Sequence, residues 1–217
     1  MHNPFFVVSD SAISDHACRI MHVRVYKARL LDDNENRKGN DMKETLEIRK
    51  LNQGNETYRK TGSIDLRLKT ARDGQHPYAV VICCSDSRVI PEQIFSATIG
   101  DLFVIRVAGN VLDKHQLGSV EYAAAHLGCK LIIMLGHTGC GAVAAALDDH
   151  AEGFITYITD DIRKAIGKVK DPNEACRLNV LNGVQRIRRE FADHPEVSKA
   201  EILGAIYDIE SGKVSWL

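Results

Sequence analysis

One stretch constrains the fold more than any other. Leu131-Ile-Ile-Met-Leu-Gly-His-Thr-Gly-Cys-Gly-Ala-Val-Ala-Ala-Ala-Leu147 passes from five apolar residues through a glycine-punctuated turn into an alanine-rich segment, which reads as strand, tight turn and helix. His137 and Cys140 stand three apart in that turn, at the C-terminal end of the strand, where open α/β sheets bind ligands. A nitrogen and a sulfur so placed suggest half of a zinc site, and the other half has to be a thiol on another strand end. Tyr78-Ala-Val-Val-Ile-Cys-Cys-Ser-Asp-Ser-Arg88 offers one.

The surrounding pattern is an alternation. Strands are predicted over Ala79–Cys84, Leu102–Val107 and Leu131–Leu135, and helices over Ser119–Leu127 and Gly141–Leu147, with Pro91 opening a short helix after the first strand. Such crossover spacing implies an α/β fold with a mostly parallel central sheet and covering helices. Two amphipathic helices are expected over Gly153–Val169 and Pro172–Phe191, the second with proline at its start as helix entry prefers. Glu201 to Leu217 reads as two strands joined at Glu210-Ser-Gly212. Upstream, Leu46, Ile48 and Leu51 mark a helix from Met42 to Gly54, and a second is expected over Ile64–Ala71.

Residues 1–41 are different in kind. Asp32-Asp-Asn-Glu-Asn-Arg-Lys-Gly-Asn-Asp41 is charged and rich in asparagine, which reads as a linker. Cys18 to Leu31 before it alternates basic and apolar residues, as a helix or arm packing on a partner subunit would, or a solvated tail. One domain over 42–217 with an N-terminal helical arm is the expected organisation.

Composition excludes several classes. Lys+Arg 28 against Asp+Glu 29 leaves a net charge of -1, so no basic field draws the chain to nucleic acid or anionic lipid. The longest apolar runs are of strand length, and Met1 to Val8 lacks the features of a secretory signal. The expected location is cytoplasmic. Six cysteines in 217 residues are too sparse for a disulfide scaffold, so each is a core, metal-binding or catalytic residue. Cys83 and Cys129, in or beside apolar runs, are expected in the core, and His126 is expected to be a satisfied packing residue of its helix; Cys18 and Cys176 have no partner visible in sequence.

Cys84, His137 and Cys140 supply three ligands, enough for a catalytic zinc whose fourth position stays open. Thiolate and imidazole select zinc over magnesium or calcium, which take oxygen. Asp86 and Arg88 leave the same turn as Cys84. An arginine held bidentate to the aspartate keeps the carboxylate ionised and fixed; a helix cap with a structural ion pair is the plainer use of Ser-Asp-Ser.

Cys84-Ser-Asp-Ser-Arg88 together with His137-Thr-Gly-Cys140 resembles the β-class carbonic anhydrases, and the likeness runs from about Met42 to Leu217. Leu51-Asn-Gln-Gly-Asn55, Gly100-Asp-Leu-Phe-Val-Ile-Arg106, Ala108-Gly-Asn110 and Ser119-Val-Glu-Tyr-Ala123 extend it. The resemblance implies one zinc per chain on Cys84, His137 and Cys140, and reversible hydration of carbon dioxide to bicarbonate and a proton through hydroxide generated on the metal. It implies that Asp86 accepts a hydrogen bond from that hydroxide and that Arg88 holds Asp86. Gln75 and the backbone N–H of Gly141 would steady the developing oxyanion, and Phe103 and Tyr122 would line the CO2 pocket. It places that pocket at a dimer interface, so a dimer or larger assembly is implied. Val107 stands where the family often has asparagine, and Val81 where some bicarbonate-regulated members carry tryptophan. The latter favours an open site over a closed one in which Asp86 is the fourth ligand.

Other readings share these residues. Cys140 with His137 is arranged as a thiol nucleophile and base would be, although His three residues before Cys on one turn suits a shared metal better. A zinc-stabilised assembly protein would use the same ligands without needing Asp86, Arg88 or Gln75. A carbon disulfide or carbonyl sulfide hydrolase on the same scaffold would differ only in pocket access.

Overall fold

The computed structural model describes residues 45–217; the arm expected over Cys18 to Leu31, the linker, and the helix start at Met42 lie outside the described residues. The described residues divide into two units on either side of the Lys60–Thr61 boundary. Helix α1 (Leu46–Thr61) lies almost wholly in the first and buries none of its residues. It does not stop at Gly54. An interior glycine costs about 1 kcal/mol relative to alanine, too little to end a helix that continues through the Glu56–Arg59 ion pair at 2.6 Å.

The second unit opens with α2 (Ile64–Asp73), two residues longer than its expected end at Ala71. There follow β1 (Ala79–Cys83), α3 (Pro91–Ile94), β2 (Leu102–Arg106), a 3-10 turn at Ala108–Asn110, α4 (Lys114–His126), β3 (Leu131–His137) and α5 (Gly141–Leu147). Helices α6 (Ile155–Ile166) and α7 (Pro172–Glu190), a 3-10 turn at Val197–Lys199, and strands β4 (Glu201–Tyr207) and β5 (Val214–Trp216) complete it. The strands form one sheet in the order β2-β1-β3-β4-β5. The first four run parallel and β5 returns antiparallel to β4.

Sequence explains the central position of β1. Ala-Val-Val-Ile-Cys is apolar on both faces, as a strand covered on both sides requires, and all five residues are buried. Alternation sends Val80 and Ile82 into a core formed with Val120, Ala123, Val180, Val184 and Ile187 of α4 and α7. Val81 and Cys83 enter the opposite core with Val89, Ile133, Leu135 and Ala205.

Four boundaries shift, two of them for reasons visible in the hydrogen bonding. Helix α4 begins at Lys114 rather than Ser119, because Asp113 and Gln116 close a capping box. The Asp113 carboxylate accepts from the N–H of His115 at 2.7 Å, and the Gln116 side chain accepts from the N–H of Asp113 at 2.9 Å. β3 runs on to His137 because Gly136 and His137 pair with Ile206 and Tyr207 of β4. β1 and β2 each end one residue early, at Cys83 and Arg106.

Gly136 packs where no side chain fits. A Cβ there would lie 2.5 Å from Val180 Cγ2 and 3.0 Å from Ile206 Cδ1. Overpacking a well-filled core costs about 1–3 kcal/mol, so Gly136→Ala is expected to lower the free energy of unfolding by that amount, read as a lower urea midpoint. An unchanged midpoint would show that α7 yields without strain.

Candidate active site

The pleat of β1 separates two adjacent thiols. Cys83 faces an apolar core, where burial pushes its thiol up to about 12, leaving it inert at neutral pH. Cys84, just past the strand, joins Cys140, Val143 and Ala146 in another cluster with Ile162 and Cys176. The parallel pairing of β1 with β3, Cys83 opposite Leu135, puts both strands' C-terminal ends on one edge. His137 ends β3, and Cys140 is the residue that caps α5.

The turn between them is held at each residue. Gly139 adopts φ +64, a left-handed conformation that glycine accepts without steric cost. The N–H of Thr138 donates to Tyr207 O at 3.0 Å, and its Oγ1 accepts from the N–H of Ile209 at 3.1 Å. The β4–β5 hairpin thereby fixes the turn.

The ligating atoms of Cys84, His137 and Cys140 all lie within 4.8 Å of one another, and all three residues are buried. His137 Nδ1 is 2.9 Å from Thr138 O. A carbonyl only accepts, so Nδ1 carries the proton and Nε2 presents its lone pair. Nε2 is buried without a hydrogen-bond partner, which is costly unless something is coordinated there. In tetrahedral sites Zn–S is about 2.3 Å and Zn–N about 2.0–2.1 Å, so little closure is needed for all three to meet one ion. The residues fit a metal.

Their titration carries the same message. The Cys140 side chain pulls the Cys84 thiol well below the ordinary thiol range against the opposing effect of burial, aided by the neighbouring His137 and by the N–H groups of Asp86 and Gly109. Sharing a proton with Cys84, together with burial, drives Cys140 strongly upward, and the N–H groups of Val143 and Ala142 only partly offset this. Burial pushes His137 down, but the neighbouring Cys84 side chain, the Thr138 carbonyl and nearby negative charge outweigh it and the net direction is up. With protons alone only one sulfur ionises comfortably; a divalent cation lets both do so.

Asp86 and Arg88 meet as the spacing suggested. Arg88 donates to both carboxylate oxygens, Nε to Oδ1 at 3.0 Å and Nη2 to Oδ2 at 2.7 Å, while its backbone N–H reaches Oδ1 at 2.9 Å. The side-chain bond to Arg88 is the largest cause holding the Asp86 carboxyl well below the usual range. Arg88 also reaches Gly139 O at 3.4 Å, tying the Cys84 turn to the His137–Cys140 turn. Among the described residues the metal-competent group is Cys84, His137 and Cys140 without Asp86.

Three supporting residues were not assigned from sequence. Arg106 donates to Cys84 O at 3.2 Å and to Asp86 O at 2.6 Å, clamping the loop that carries both. The N–H of Gly109 donates to Cys84 Sγ at 3.3 Å, and Asn179 donates to Gly109 O at 2.8 Å. The Arg106 and Gly109 motifs were visible as strings, but contacts 20 to 70 residues apart leave no signal in spacing.

The remaining expected site residues lie elsewhere on the chain. Gly141 opens α5 beside Cys140, at the metal edge. Gln75 is exposed four residues ahead of β1, in a cleft of about 440 Å³ with Thr70, Ile99 and Leu102. Phe103 sits opposite Val80, about 13 Å along the strand from Cys84 at 3.3 Å per residue. Tyr122 is exposed and tilted against Phe103 at 6.1 Å. His126, expected to be packed, is exposed and rests on the Tyr122 ring at 5.4 Å. Within one chain, then, Gln75, Phe103 and Tyr122 do not meet the cysteine–histidine cluster. Cys129 and Cys176 are buried, the former donating to Pro77 O at 3.1 Å.

The β-carbonic anhydrase CcaA superposes with a TM-score of 0.68 at 26% identity, covering 80% of this chain and 92% of that one. A family model described as carbonic anhydrase matches residues 79–214. The chain belongs to the β-carbonic anhydrase family. The β-carbonic anhydrase of Coccomyxa, solved with acetazolamide, gives a TM-score of 0.67 at 26% identity over 80% of this chain and 87% of that one. Carbonic anhydrase 2 of Mycobacterium tuberculosis is 42% identical over 127 residues, 55% of this chain and 61% of that protein's length. The carbonic anhydrase of Mycolicibacterium smegmatis is 37% identical over 161 residues, 68% of this chain and 78% of the relative.

The Asp86–Arg88 pair generates a test. An Asp whose folded pKa is depressed stabilises the fold fully above the unfolded carboxylate range, near pH 4, and loses that contribution as the pH falls below it. In Arg88→Met the Asp86 carboxyl is expected to titrate closer to the ordinary range, read by carbon NMR of its carboxylate. The stability difference between variant and wild type is expected to shrink as the pH is lowered from about 5 to 2. An unmoved titration would show that backbone donors alone hold Asp86.

Proposed function

We propose that this chain is a zinc-dependent enzyme that interconverts carbon dioxide with bicarbonate and a proton. The observation carrying the proposal is the buried Cys84–His137–Cys140 group, with an unpartnered His137 Nε2, beside an Asp86 kept ionised by Arg88. Two sulfurs and one imidazole favour zinc among common biological cations. Bound there, zinc would supply Lewis acidity that brings water's ionisation to neutral pH.

The chain's own residues do the rest. Asp86, fixed by three donors from Arg88, accepts a hydrogen bond from the attacking oxygen and so orients its lone pair. Because Asp86 faces Arg88 and stands apart from the three-ligand group, the open form is favoured. Arg106 keeps Asp86 in register with Cys84 by holding both carbonyls of their loop. The N–H of Gly141, at the start of α5, is available to a developing oxyanion.

A small apolar substrate needs an apolar wall, which Phe103 and Tyr122 offer together, while the amide of Gln75 lies in a separate cleft with Leu102. We assign them to the site of a second copy, so that each pocket is built from two chains. The family's implied interface and the exposure of Gln75 and Tyr122 in the single chain support this. The catalytic domain on this reading covers 42–217, with residues 1–41 as an extension. A reducing compartment, the cytoplasm, suits five described cysteines that are all free. No helix among the described residues is long and apolar enough to cross a membrane.

Stopped-flow CO2 hydration read beside zinc content tests the chemistry. Wild type is expected to hydrate CO2 rapidly with about one zinc per chain, Cys84→Ser to lose both, and Asp86→Asn to keep zinc while losing activity by about 100-fold or more. Zinc without hydration would direct the search to another small substrate such as carbonyl sulfide; neither would return Cys140 to the role of nucleophile.

Mixing tests the two-chain pocket. Cys84→Ser and Gln75→Ala are each expected to be inactive alone. Random co-assembly should restore about a quarter of wild-type activity, since one of the two sites in each two-fold mixed dimer is intact. No recovery would place Gln75 and Cys84 in the same chain's site.

A further inference from the structure

We infer that Asn179 is a positioning residue for the metal ligand Cys84, acting through Gly109. The inference rests on the metal-site reading above and concerns how α7, far from the ligand in sequence, sets the donor atom.

Asn179 is 5% exposed on a helix whose neighbouring buried residues are apolar. A buried amide is costly unless its hydrogen bonds are made, and Nδ2 makes one, to Gly109 O at 2.8 Å. On the other side of the same residue, the N–H of Gly109 donates to Cys84 Sγ at 3.3 Å in a buried contact. Gly109 is therefore a connector between helix and ligand.

Gly109 cannot hold that position by its own stereochemistry. It sits at φ 66, ψ 13, where glycine is free to enter and equally free to leave. A side chain cannot stiffen it: a Cβ would lie 2.8 Å from Ile162 Cδ1 and 3.0 Å from Ala142 Cβ. What fixes its orientation is the bond from Asn179, and with it the aim of the N–H at sulfur. An N–H donor to a ligating thiolate delocalises its charge and fixes its direction, the usual work of groups just behind metal ligands. Cys176 lies three residues earlier on α7, so about one turn away, and packs in the same buried cluster as Cys84 and Cys140. The same stretch of α7 thus borders both sulfur ligands.

Cobalt substitution is the test, because thiolate-to-cobalt charge-transfer absorption reports the sulfur directly. Metal-stripped wild type, Asn179→Leu and Val180→Ala are loaded with cobalt in the presence of a competing chelator. Val180 is buried beside Asn179 and packs against the sheet, so its variant measures loss of packing alone. Asn179→Leu is expected to weaken cobalt binding about tenfold or more and to shift the charge-transfer band. Val180→Ala should lose resistance to urea while keeping affinity and band. Wild-type affinity and spectrum in Asn179→Leu, or equal changes in Val180→Ala, would overturn the inference. Should Asn179→Leu fail to fold, Asn179→Ser, which keeps a shorter donor, is expected to give a smaller shift of the same sign; an unshifted spectrum there overturns it equally. A wild-type protein that takes up no cobalt would instead overturn the metal-site reading itself.

Discussion

Everything at the metal edge depends on β1 and β3 running side by side in the same direction. Parallel pairing puts the C-terminal ends of both strands on one border of the sheet, and each strand there gives way to a turn whose first residues point off the edge. A thiol from one turn and an imidazole and thiol from the next converge only because of that adjacency. An antiparallel arrangement of the same two segments would have separated Cys84 from His137 by the length of a strand. The burial of β1 on both faces keeps it inside the sheet, since no edge position would tolerate so uniformly apolar a segment.

The local electrostatics follow from crowding. Two thiols and an imidazole packed within 4.8 Å and shielded from water compete for too few protons. Asp86 escapes that competition because its charge is satisfied by Arg88, with Arg106 gripping the backbone behind it. The result is a firmly ionised carboxylate beside a site that still wants positive charge, an arrangement suited to ordering a polarised water.

The sequence made the architecture and the chemical cluster legible for different reasons. Apolar period and glycine placement revealed β1, β3 and α5 nearly residue for residue, because a doubly covered strand has no polar face to blur the signal. Cys84, His137, Cys140, Asp86 and Arg88 were found because their chemistry is concentrated in two short strings. The start of α4 is hidden from the apolar pattern because Asp113 and Gln116 act through reciprocal capping bonds that carry no apolar period. Gly54 is no stop signal in α1, because a solvent-exposed helix tolerates glycine. Arg106, Gly109 and Asn179 act through hydrogen bonds to backbone atoms and a sulfur across the fold, and backbone atoms are the same at every position in a sequence. The places of Gln75, Phe103 and Tyr122 could not be read either, since their relation to the metal is a matter of which surfaces are left uncovered.

The pair Cys83 and Cys84 shows how little of a ligand's identity lies in its side chain. Both are cysteine and they are adjacent, yet one is sealed in hydrocarbon and the other faces the metal group. The pleat sorts them by parity, counting from where the strand enters the sheet. Inserting a single residue between Tyr78 and Cys83, with no change to either thiol, would carry Cys83 to the ligand position and Cys84 past it. The instruction that makes one of them a ligand is thus written in an odd or even number of steps.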